Sequence, residues 1–101
     1  MSEERFQTFE EFWPFYLGEH AHKHNRALHF FGIVGALALL AAAAVSGRWL
    51  FVLAAPVFGY GCAWIGHFVI EKNRPATFTY PWWSLRGDVR MFRLMLFRQL
   101  K

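Results

Sequence analysis

The segment LHFFGIVGALALLAAAAV-SGR-WLFVLAAPVFGYGCAWIGHFVI, residues 28–70, decides the fold class. It holds two apolar runs, Leu28 to Val45 and Trp49 to Ile70, of 18 and 22 residues. Helix crosses the hydrocarbon core of a bilayer in about 20 residues, so each run is long enough to span. No charge interrupts the second run. Only Ser46, Gly47 and Arg48 separate the two, which predicts a tight antiparallel transmembrane hairpin. Gly32, Gly35 and the Ala41–Ala44 block offer one smooth face, and Gly59, Gly61 and Gly66 offer the other, so the helices can approach closely. Pro56 is tolerable inside a membrane helix.

The remainder of the chain fits this reading. A length of 101 residues makes a single small domain, 1–101, and 55% hydrophobic content with five Trp and twelve Phe excludes an ordinary small soluble domain. The first run begins too far from Met1, behind an acidic and aromatic segment, for a cleaved signal peptide. The single Cys62 permits no disulfide within one chain and reads as a packing residue. The formal charge of +4 is concentrated after the second run, in Lys72, Arg74, Arg86, Arg90, Arg93, Arg98 and Lys101, against Glu71 and Asp88. Arg48 alone marks the hairpin tip. An integral membrane protein with both termini cytoplasmic follows from this asymmetry. The basic, apolar surface implies contact with anionic lipid headgroups, and no nucleic-acid motif accompanies it.

The flanks predict two interfacial helices. Residues Met1 to Gln7 are polar and expected to fray. Thr8 and Glu11 form a capping-box pattern ahead of Phe9, Phe12, Trp13, Phe15, Tyr16 and Leu17, which places a helix over about 8–18. Pro14 predicts a kink or a late start, and Gly18 an end or bend. Asp88 is expected to cap a last helix over about 88–100, with Val89, Phe92, Met95 and Leu96 opposing Arg90, Arg93 and Lys101. The predicted fold class is therefore an all-α membrane protein: a two-span antiparallel hairpin, about 28–45 and 49–70, with N- and C-terminal interfacial helices.

Histidines collect at one end of this hairpin. His29 opens the first span and His67 lies three residues from the end of the second, so both imidazoles fall at nearly the same depth. Glu71, four residues after His67, shares its helix face and can act as an oxygen ligand or orient an imidazole. His20 is the natural third ligand from the linker. Imidazoles with a carboxylate suit iron, zinc or copper. Against this stands an unbroken helix from His20, which would put His22, Asn25 and His29 on one side and His20 with His24 on the other. A break between His20 and Asn25 would remove the conflict, and no proline or glycine in residues 19–31 marks one. The plainer readings are a helix-end His67 paired with Glu71, and His22 and His24 bonding headgroups or backbone. Lys72 and Arg74 read as snorkelling anchors, or alternatively as a clamp for a carboxylate head. Asn25 reads as a cap or tie for the first span before it reads as a catalytic group.

His20, Asn25 and His29 form the pattern H-x4-N-x3-H. Together with Trp64, Gly66-His67 and Glu71-Lys72-x-Arg74-Pro75-Ala76 they resemble the Mpo-like membrane family, over about residues 15–76. The resemblance implies an Fe(II)-dependent dioxygenase that acts with O2 on a 2-hydroxy fatty acid and shortens it by one carbon. It implies His20, His29 and His67 as the metal ligands, Glu71 and Asn25 beside them, and a break after His20, because His22 and His24 do not match. Eukaryotic members carry further membrane segments between the two motifs, which a homo-oligomer would have to replace here. The readings that compete with an enzyme are a non-enzymatic membrane scaffold held together by its small-residue faces, and a membrane protein that binds metal or haem, the latter between His29 and His67.

Overall fold

A computed structural model describes residues 6–99, and among these every regular element is helical. The first helix, α1, covers Phe9–Glu19. The Thr8 hydroxyl accepts the Glu11 N–H at 3.1 Å, and the Glu11 carboxylate accepts the Gln7 N–H at 3.0 Å. Each bond satisfies an amide at the helix start that has no intrahelical partner. The helix begins on time despite Pro14 and runs through Gly18. Phe6 and Gln7, inside the stretch expected to fray, are both tied down, the Phe6 N–H by the Tyr80 hydroxyl at 3.2 Å; Met1–Arg5 lie outside the described residues.

The second helix, α2, covers Lys23–Ser46, so the chain does break after His20. The breaker is a residue that carries no conventional signal: His22 is extended, and its Nδ1 accepts the His24 N–H at 3.1 Å as an N-cap. At the other end Gly47 takes φ +74° and returns its N–H to Ala43, a left-handed closure that suits glycine. The third helix, α3, covers Leu50–Ile65 and continues as a π-helical stretch over Gly66–Glu71. α2 and the continuous segment Leu50–Glu71 are both long and apolar enough to cross a membrane.

Their contacts run in opposite senses along the two segments. A Cβ built on Gly35 would strike the Phe58 ring, one on Gly32 would lie 3.0 Å from Cys62 Cβ and 3.1 Å from the Gly59 carbonyl, and one on Gly66 would strike Asn25. Gly32 and Gly59 are where backbone approaches backbone, Gly35 and Gly66 make room for the Phe58 ring and the Asn25 side chain, and Gly61, expected on the same face, meets nothing within 4 Å. Away from this seam the segments leave Phe31, Val34, Leu53, Val57 and Phe68 exposed.

The last helix, α4, covers Pro81–Leu96, which corrects the expected start at Asp88. Pro81 supplies the fixed φ of a first helical residue, where its missing N–H costs nothing. Asp88 is consequently an interior residue of α4 rather than its cap. The helix ends at Leu96; Leu100 and Lys101 lie outside the described residues. The aromatic core sits between α1 and α4: Phe9, Phe12, Tyr16, Ala76 and Met91 are buried there. Arg86 and Arg90 lie over Phe9 and Trp13, at 4.1 and 4.6 Å from the ring centres, so part of the basic face is spent on protein. α4 also reaches α2 through Phe30 and Phe92, stacked at 4.8 Å.

Candidate metal centre

Three helix ends converge beside this aromatic core. His20 caps α1, His29 lies in the second turn of α2, and His67 lies in the π-helical stretch. All three are buried, with at most 5% of each exposed. A π-helical turn re-aims side chains relative to an α-helix, and such turns concentrate at functional sites.

In each ring Nδ1 faces an oxygen. His20 Nδ1 donates to the Tyr16 carbonyl at 2.7 Å and His29 Nδ1 to the Asn25 carbonyl at 3.0 Å. His67 Nδ1 donates to Asn73 Oδ1 at 2.7 Å. The Asn73 amide is oriented independently, because its Nδ2 donates to the Glu19 carbonyl at 3.1 Å. Carbonyl and carboxamide oxygens accept, so the proton is assigned to Nδ1 in all three rings and the lone pair to Nε2.

The ring nitrogens crowd together. His20 Nε2 and His29 Nε2 are 3.1 Å apart, and one ligand atom from each of the three rings fits within 4.8 Å. Two acceptors at that distance repel unless a cation lies between them. Two nitrogens 2.0–2.1 Å from one metal at a tetrahedral angle would be about 3.3 Å apart, close to what is observed. The three histidines can therefore hold a metal ion. Burial pushes His20 down to about 2, with the neighbouring His29 adding to the effect, so its ring is neutral and ready to ligate. His29 and His67 have ring centres only 5.0 Å apart, too close for a macrocycle between them, so the haem alternative is dropped.

A family model described as 2-hydroxy-palmitic acid dioxygenase Mpo1-like matches residues 6–100. The chain belongs to that family. No curated protein and no solved structure matches it.

Within this Mpo1-like chain the other expected site residues have distinct places. Glu71 is not in the histidine cluster; its Oε1 accepts the backbone N–H of His22. The π-helical turn carries the carboxylate away from the ring nitrogens and onto the start of α2, where a negative charge is favourable. Asn25 is fully buried against Gly66, and neither Oδ1 nor Nδ2 has a hydrogen-bond partner. Lys72 occupies a left-handed turn at φ 60° and is exposed. Arg74 lies over the Phe78 ring at 5.2 Å. The sequence reading did not single out Asn73, which sits between those two cations. It also missed Tyr16, whose signal was its place one helical turn before His20.

Tyr16 serves the centre twice over, because its ring also stacks on His20 with centres 4.0 Å apart. Its hydroxyl donates to Asp88 Oδ1 on α4. Burial pushes the Asp88 carboxyl up to about 7, partly offset by that bond. An unfolded Asp titrates near about 3.9, so the folded chain holds the extra proton between the two values and loses stability as pH rises through them. Asp88→Asn keeps an oxygen for Tyr16 and removes the charge. Thermal unfolding in detergent should show the variant gaining on the wild type as pH rises from 5 to 8; a pH-independent gap would refute a buried Asp88 charge.

Proposed function

We propose that this chain is a membrane-embedded, iron-dependent oxygenase of 2-hydroxy fatty acids, which it shortens by one carbon. The observation that carries the reading is the cluster of three buried imidazoles, each offering a nitrogen within 4.8 Å of the others and each held at Nδ1 by an oxygen of Tyr16, Asn25 or Asn73. The family description adds the substrate class and the reaction type. In this reading α2 and the segment Leu50–Glu71 form an antiparallel transmembrane hairpin, with both termini cytoplasmic and lipid around its apolar outer faces.

His20, His29 and His67 would hold the metal, and ferrous iron there would supply O2 activation and a seat for a hydroxy-carboxylate head. The chain's own residues supply the rest. Backbone and carboxamide acceptors hold each imidazole by its outer nitrogen, which fixes ring orientation and raises ligand basicity. Glu71 acts as a positioning residue: by holding the start of α2 it sets where His29 stands. Asn25 offers an unpaired carboxamide one turn before His29. Lys72 and Arg74 give this end positive charge that attracts an anionic acid. Conversion of R–CHOH–COOH and O2 to R–COOH, CO2 and H2O balances without an external reductant.

Metal analysis of the purified protein, together with turnover of 2-hydroxypalmitic acid, tests the reading. The expected result is one transition-metal ion per chain and product one carbon shorter, lost on chelation and restored by Fe(II). A wild-type protein free of transition metal that chelators leave unchanged would overturn it.

A further inference from the structure

One cavity has a lining with a clear direction. It measures about 320 Å³ and lies between α2, α3 and α4. Its polar lining residues are His29, Tyr60 and Asp88, one from each helix. Gly32 packs against Gly59 and Cys62, so Tyr60 stands within about one turn of His29, and Asp88 is bonded to the Tyr16 that stacks on His20. The polar groups therefore gather at the histidine end. Beyond them Ile33, Ala36, Leu37 and Leu40 continue the same stripe of α2, opposite Ala55 and Pro56 of α3. From His29 to Leu40 is 11 residues, about 16 Å along the helix.

The cavity is held open by contacts on either side of it. Leu85, Asp88 and Val89, at helical spacing, form its roof. That roof is fixed by the Tyr16–Asp88 bond, by Gly87 lying flat on the Tyr16 ring, and by the Phe30–Phe92 stack. The space is too small for a second helix, since 16 Å of helix about 10 Å across fills on the order of 1,000 Å³. A narrow apolar slot with polar groups only at the metal end fits a single hydrocarbon chain with one polar head.

We infer that this groove seats the tail of the 2-hydroxy acid, with the head at His29 and the chain running past Ala36 toward Leu40. The assignment rests on the reading given under Proposed function. It gives the acid a defined direction: the head stays at the histidine centre while the tail lies along the apolar span. It also makes residues around Leu40 and Ala55 the ones that measure chain length.

Photocrosslinking of the iron-loaded protein in detergent tests the placement. The probe is a 2-hydroxy fatty acid with a diazirine at its terminal carbon. Labelling should map to Leu37, Leu40, Ala55 or Pro56 and be displaced by unlabelled 2-hydroxypalmitic acid. Labels on Val34, Leu53 or Val57, which do not line the groove, an identical pattern from a diazirine phospholipid, or no displaceable labelling would overturn it. In parallel, Leu40→Trp should raise KM for 2-hydroxypalmitic acid at least five-fold more than KM for 2-hydroxyoctanoic acid, with metal content as in the wild type. The control Leu53→Trp, which is outside the groove lining, should change neither. Metal content and short-chain turnover report on the oxygenase itself, so a failure of the groove is separable from a failure of that function.

Discussion

His67→Ala is expected to reduce bound transition metal to background, and Asn73→Ala to weaken metal affinity by about 10- to 100-fold without abolishing it. The difference follows from the two roles. His67 contributes one of three nitrogens that lie within 4.8 Å of one another, and its loss leaves two imidazoles with an incomplete ligand set. Asn73 touches no metal. It accepts the His67 Nδ1 proton and ties the ring to the end of α1 through the Glu19 carbonyl. Without it the His67 ring can rotate or change tautomer, so binding weakens. Equilibrium dialysis with Fe(II) or Zn(II), followed by elemental analysis, reads both effects. Equal metal content in wild type and His67→Ala would sink the metal centre and favour a scaffold. Asn73→Asp, which keeps an oxygen acceptor, should restore most of the affinity lost in Asn73→Ala.

Gly66→Ala is the second large effect, and it acts through shape. A Cβ at position 66 would lie 1.8 Å from Asn25 Oδ1, 2.8 Å from its Cγ and 3.4 Å from its Cα. The side chain cannot simply swing aside, because Asn25 is fully buried and its Cα belongs to α2. The helices must part or Asn25 must leave its site, at a cost of about 1–3 kcal/mol for overpacking. The Asn25 carbonyl holds His29 and Gly66 adjoins His67, so the strain reaches two ligands at once. Metal affinity should fall along with thermal stability in detergent. The double variant Asn25→Ala/Gly66→Ala should recover much of the stability, since it frees the space and deletes an amide that has no partner. Additive losses in that cycle would show that the contact is not what constrains the pair.

The buried Asn25 amide and the close Gly66 also tie the two halves of the motif to each other in this chain. H-x4-N-x3-H lies on α1 and α2, whereas Gly66-His67 lies at the end of the second apolar segment. One glycine and one asparagine fill the same small space between them. Neither can change alone without moving a histidine.

How much of this was legible differs from element to element. The two apolar runs were, because length and hydropathy are local properties and Ser46-Gly47-Arg48 leaves few ways to join them. The capping box at Thr8 and Glu11 was legible for the same reason. So was the depth match between His29 and His67, which needs only the helical rise and a reversal of direction. The start of α4 was not: Asp88 is a good cap by residue type, but Pro81 satisfies a helix start earlier, and Tyr16 claims the Asp88 carboxylate from another helix. The break after His20 was open for a similar reason. It depends on His22 capping α2 and on Glu71 reaching the His22 N–H from 49 residues away.

By itself, then, the sequence determined two long apolar segments, an aromatic and basic surround, and three histidines able to gather at one end. Tertiary structure alone decided how those histidines are aimed. Ring orientation depends on what each Nδ1 meets, and two of the three acceptors are carbonyls, which every residue carries and no motif can mark. The third is an asparagine placed by a left-handed turn that follows a π-helical one. The same packing put Glu71, expected as a ligand or as a group orienting one, at the start of α2. Spacing along a chain can bring side chains to one level; only the fold gathers three ring nitrogens within 4.8 Å of one another.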